Sequence, residues 1–145
     1  MVKTILLVED NEDDVIFMKR AFKQAELLES LKVVKDGQEA IDYLSGANQF
    51  ADRTTFPMPC LVLLDLKLPR KGGLEVLRWI REQPGLRSLV VLILTTSRER
   101  NDLEKAYELG GNGFLVKPPA YQQLAEMVKA IKGFWLDFNE FVFRH

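Results

Sequence analysis

Five short apolar runs punctuate the chain, each followed by a turn and most by an amphipathic stretch. The longest is Cys60–Leu66, where Cys60, Leu61, Val62, Leu63, Leu64 and Leu66 are apolar and Asp65 alone interrupts. Opened by Pro59 and closed by Pro69, it reads as a strand buried on both faces. Thr4–Val8, Leu31–Val34, Leu89–Leu94 and Gly113–Val116 are the other strand candidates. Between them, apolar residues recur at helical spacing: Val15 to Leu28, Ala40 to Leu44, Leu74 to Ile80, Leu103 to Leu109, and from Leu124 onward. Asn11 is placed to cap the first helix, with Asp13 and Asp14 in its opening turn. Ser45–Pro59, rich in turn formers, reads as a long exposed loop that Phe50 and Phe56 could pin to the body.

Strands alternating with helices imply an α/β domain with a parallel sheet and right-handed crossovers. A flavodoxin-like (βα)5 sandwich with strand order 2-1-3-4-5 is expected, as a single domain over residues 1–145. An ionised Asp65 inside a buried strand would cost several kcal/mol, so it belongs at the strand's C-terminal end. Open parallel sheets bind ligands outside that edge. The same edge would carry Glu9 and Asp10 after strand one, Thr95 after strand four and Lys117 after strand five.

Three carboxylates gathered there repel, each close pair by about 4 kcal/mol at an effective dielectric near 20. A helix N-terminus returns at most ~1–2 kcal/mol, so the cluster calls for a cation, and all-oxygen ligands suit Mg²⁺. An aspartate beside Mg²⁺ can attack phosphorus and hold an aspartyl phosphate. Thr95 and Lys117 could then bind phosphoryl oxygens. Taken singly, each residue is ordinary; the pattern is specific because each follows a different buried strand.

The totals change little. At 145 residues with 47% hydrophobic and 28% charged residues, the chain suits one globular domain. A net charge of −1 gives no sign of nucleic acid or an anionic membrane as partner. The apolar run near the N-terminus is too short for a signal peptide or a membrane span. One cysteine, Cys60, excludes an internal disulfide and fits a reducing, cytoplasmic setting.

ILLVEDN, LVLLDLKLP with the following GG, LILTTS and GFLVKPP resemble the receiver domain of two-component response regulators. The thirty residues from Asp65 to Thr95 and twenty-two from Thr95 to Lys117 fit that family. The resemblance implies Asp65 as phosphoacceptor, Asp10 as a direct Mg²⁺ ligand, Glu9 as a ligand through water, and the Lys67 carbonyl as a further ligand. It implies phosphoryl binding by Thr95 and Lys117, a cis Lys117–Pro118 bond, and a switch in which Thr95 draws the aromatic Phe114 inward. The donor would be a sensor histidine kinase, since His145 is terminal and reads as a bystander. The long Ser45–Pro59 loop, VEDNEDD and the aromatic tail look like single-domain regulators that partner phytochrome-type kinases. A phosphorelay intermediate serving another kinase is the alternative.

Other classes fit less well. A haloacid dehalogenase-type phosphohydrolase wants a second Asp two residues after the first, where this chain has Lys67. A flavodoxin-like redox protein wants a glycine- and hydroxyl-rich first turn, which here is acidic. The expectation is a self-phosphorylating switch rather than a turnover enzyme, signalling by protein contact or onward transfer. Residues 132–145 form an aromatic-rich extension, expected to continue the last helix through Gly133. Its Phe134, Trp135, Phe138 and Phe141 would be covered by a homodimer, or else by folding back under the Ser45–Pro59 loop.

Overall fold

Strands β1 (Ile5–Val8), β2 (Leu31–Val34), β3 (Leu61–Leu64), β4 (Val90–Thr95) and β5 (Gly113–Val116) form one parallel sheet in the order 2-1-3-4-5. The computed structural model describes residues 3–142, so His145 lies outside the described residues. Helices α1 (Glu12–Gln24), α2 (Gly37–Ser45), α3 (Gly73–Glu82), α4 (Arg100–Glu108) and α5 (Tyr121–Ile131) alternate with the strands.

Alternate strand residues feed two cores, which is why the inner strands are apolar throughout. Leu6, Val8, Val62, Leu64, Val91 and Ile93 face α2, α3 and α4, meeting Tyr43, Val76, Leu77, Ile80 and Ala106. Ile5, Leu7, Leu61, Leu63, Leu92 and Leu94 face α1 and α5, meeting Met18, Phe22, Leu124, Val128 and Ile131. Each fully buried aliphatic contributes roughly 1.5–3 kcal/mol, so both faces must be covered for the sheet to persist.

The Ser45–Pro59 segment is better anchored than an exposed loop. Phe50 is buried, its ring centroid 5.1 Å from both Tyr43 and Phe56. The Tyr43 hydroxyl donates to the Pro57 carbonyl at 2.8 Å, and Arg53 donates to the carbonyls of Leu44 and Phe56. The two phenylalanines pin the segment as their apolar character suggested.

The C-terminal extension departs from the expected continuous helix. After Ile131 the chain widens into a π-helical turn, Lys132–Leu136, and helix then stops. Asp137 N–H donates to the Lys132 carbonyl at 2.9 Å and Asn139 N–H to Phe134 at 2.8 Å, both spaced five residues apart. Gly133 is a poor helix former, so a wider turn costs little there. The wide turn buries Leu136 and sets Trp135 and Phe141 against the α1–α5 core. Lys3 fixes the exit by donating to the Leu136 carbonyl at 2.6 Å, with its ammonium 5.7 Å from the Phe141 ring centroid. Folding back therefore covers Trp135 and Phe141, while Phe134 and Phe138 remain 58% and 83% exposed.

Candidate functional site

The C-terminal edge of the sheet gathers the expected residues because the strand ladder runs one residue past each strand. Glu9 N–H donates to the Val34 carbonyl at 3.0 Å, Asp65 N–H to Val8 at 3.2 Å, and Lys117 N–H to Thr95 at 2.7 Å. Since Val8 pairs with Leu64, the next residues, Glu9 and Asp65, emerge side by side. Carboxylate oxygens of Glu9, Asp10 and Asp65 all lie within 4.8 Å of one another. Glu9 and Asp65 are buried, and Asp10 faces solvent.

Local structure holds each carboxylate in place. Asn11 caps α1, its side-chain oxygen accepting from Asp14 N–H at 3.0 Å, while its own N–H donates to Glu9 Oε2 at 3.2 Å. Lys67 N–H donates to Asp65 Oδ1 at 3.2 Å. Gly73 opens α3 directly against the backbone of Asp65 and Leu66, where any Cβ would collide with the Asp65 carbonyl oxygen. That close approach explains the second glycine of the GG pair. The Lys67 side chain is exposed.

Lys117 is the cation of the cluster. Its Nζ donates to Glu9 Oε1, to Asp14 Oδ2 at 2.9 Å and to Asp65 Oδ2 at 3.2 Å. Three acceptors match the three hydrogens of an ammonium. Thr95, wholly buried at the end of β4, presents its hydroxyl to Ser97 N–H at 3.3 Å. Ser97 in turn donates to Asp102 at 2.6 Å, tying this edge to the first turn of α4. Phe114 is half-buried and packs against the core beneath α2, α3 and α4.

Burial pushes the Glu9 carboxyl up to about 7, with the hydrogen bond and charge of Lys117 pulling down and the Asp65 charge pushing up. Burial disfavours the Lys117 ammonium, but hydrogen bonds to Glu9 and Asp14 and the Asp65 charge outweigh it, raising its pKa. Hard oxygen donors in excess of the local positive charge fit Mg²⁺ or a similar divalent ion.

The sequence reading placed Glu9, Asp10, Asp65, Thr95 and Lys117 at one edge, and they lie there. It missed Asp14 as a member of the site. The available signal was its position in the first turn of α1, beside the edge that receives Lys117. The Lys117–Pro118 bond is trans, not cis: among the described residues every peptide is trans. The trans form is favoured by ~0.5–1 kcal/mol before any tertiary contact, and from it the ammonium already reaches the three carboxylates. Among the described residues no helix is long and apolar enough to cross a membrane.

Known proteins share this fold. The profile of the response regulator receiver domain matches residues 5–129. The probable methanogenesis regulatory protein FilR2 of Methanothrix harundinacea is 38% identical over 93% of this chain and 84% of its own. Response regulator Rcp1 of Synechocystis is 37% identical over 93% of this chain and 90% of its own. The crystal structure of Rcp1's Mn²⁺-bound form superposes with a TM-score of 0.86, at 35% identity, over 97% of this chain and 99% of that one. The phosphorylated cyanobacterial phytochrome response regulator RcpA superposes with a TM-score of 0.89, at 35% identity and the same coverage. With the profile spanning most of the fold and the strand-end residues in place, the chain belongs to the response regulator receiver family.

Proposed function

We propose that Asp65 accepts a phosphoryl group from a phosphohistidine of a sensor kinase, making this domain a phosphorylation-controlled switch. The observation that carries this reading is the Asp65 carboxylate at the end of β3, facing the Lys117 ammonium within an acidic cluster. An Asp65 oxygen attacks phosphorus; the P–N bond breaks, and the imidazole leaves with the bonding pair and takes up a proton. Lys117 and the Thr95 hydroxyl bind the phosphoryl oxygens, and Lys67 N–H holds the Asp65 carboxylate in orientation. Glu9, Asp10, Asp65 and the Lys67 carbonyl would hold Mg²⁺, which when bound neutralises charge on the transferring group. The Mn²⁺-bound form of Rcp1 supports that assignment.

Output passes from Thr95 and Phe114 to protein partners or onward phosphotransfer, in the cytoplasm and without metabolic turnover. Likeness to RcpA and Rcp1 supports a phytochrome-type kinase as donor. The likeness to FilR2, a probable methanogenesis regulatory protein, supports a second reading in which a different sensor kinase is the donor. Exposed Phe134 and Phe138, with Trp135 and Phe141 behind them, support a homodimer through the end of α5 and the extension. Incubation with a phosphorylated phytochrome-type kinase and Mg²⁺ tests the donor: rapid loss of label from kinase to this chain is expected, and transfer only from an unrelated kinase would favour the second reading.

A further inference from the structure

Asp14 stands apart from the carboxylates that would hold the cation. The oxygens that cluster within 4.8 Å come from Glu9, Asp10 and Asp65, whereas Asp14, on α1, is not among them and meets the same ammonium at 2.9 Å. It also lines a cavity of about 340 Å³ between α1 and α5, along with Phe17, Met18, Lys117 and Tyr121. Its backbone is fixed, since Asn11 caps its N–H, and its side chain is 37% exposed where that of Glu9 is 2% exposed. Lys117 thus has two acceptors inside the proposed cation site and one outside it.

Those two inner acceptors are carboxylates a divalent cation would need, so ammonium and metal compete for Glu9 and Asp65. A charge-assisted hydrogen bond at 2.9 Å pulls the ammonium toward α1. We infer that Asp14 is a positioning residue: it draws Lys117 away from Glu9 and Asp65 and so opens the acidic cluster to a divalent cation. The inference rests on the cation site proposed above. Without the Asp14 charge, Lys117 leans wholly on Glu9 and Asp65, and cation affinity falls.

Calorimetric titration of the full chain with Mg²⁺ tests this, with thermal unfolding in chelator confirming that each variant is folded. Asp14→Asn should weaken Mg²⁺ binding three- to tenfold, whereas Asp13→Asn, on the same helical turn but exposed, should change it less than twofold. Asp14→Glu, which keeps the carboxylate, should stay near wild type. In a Lys117→Gln background, Asp14→Asn should weaken binding no more than Asp13→Asn does, because the effect acts through the ammonium. Equal effects of Asp14→Asn and Asp13→Asn, or an undiminished Asp14→Asn effect without Lys117, would overturn the inference while leaving the cation site standing. Failure of the wild-type chain to bind Mg²⁺ would overturn the cation site itself, and the inference with it.

Discussion

The Lys117 ammonium lies 3.2 Å from Asp65 Oδ2, bringing together two side chains that are 52 residues apart in the chain. A phosphoryl group built on Asp65 would enter between them, trading a carboxylate partner of Lys117 for phosphoryl oxygens. The acidic cluster can take up that added negative charge only if a cation joins it.

Glu9 makes stability depend on pH. Its folded pKa, raised to about 7 chiefly by burial, exceeds the ordinary value of 4.5, so the native state holds its proton more tightly than the unfolded chain. Stability of the metal-free protein should then be greatest below about pH 4.5 as far as Glu9 is concerned, and fall as pH rises to about 7. The loss is at most about 3 kcal/mol. Chemical denaturation across that range should show the decline in wild type and a flatter profile in Glu9→Gln.

Gly73 should tolerate no side chain. A Cβ there meets the Asp65 carbonyl, whereas at Gly72 the nearest atom is 3.9 Å away. Gly73→Ala is expected to cost about 2–4 kcal/mol and to displace the Asp65 loop, and Gly72→Ala less than about 1 kcal/mol. Urea unfolding of both variants checks the contrast.

In the proposed homodimer the extension would separate folding from association. Trp135→Ala should destabilise the monomer by about 2–3 kcal/mol, since Trp135 packs on the α1–α5 core. Phe138→Ser, at a position 83% exposed, should leave unfolding unchanged and weaken self-association, read by sedimentation velocity at micromolar concentration. A Phe138→Ser chain that associates as wild type does would remove Phe138 from the interface.

Much of the site was legible because buried parallel strands are apolar on both faces and end abruptly. Each polar residue following such a run, Glu9, Asp65, Thr95 or Lys117, had to land at the same edge once strand order was known. Asp14 was not legible in that way: its contact spans 103 residues between a helix and a strand end, and depends on side-chain reach. The extension was misread for a related reason. Apolar spacing from Met127 to Val142 fits a continuous helix, but it does not register the wide turn at Gly133 or the Lys3 contact that ends it.

Phosphorylation at Asp65 is the central claim. The full chain should be incubated with Mg²⁺ and acetyl phosphate, trapped by borohydride reduction, digested and mapped by mass spectrometry. The expected result is one hydroxylamine-labile phosphoryl adduct on the intact protein, with reduction confined to Asp65. Asp65→Asn should take up none while unfolding at or above the wild-type temperature in chelator. Modification of Asp10, Asp14 or Glu9 in the wild type, or undiminished labelling of Asp65→Asn, would contradict the account.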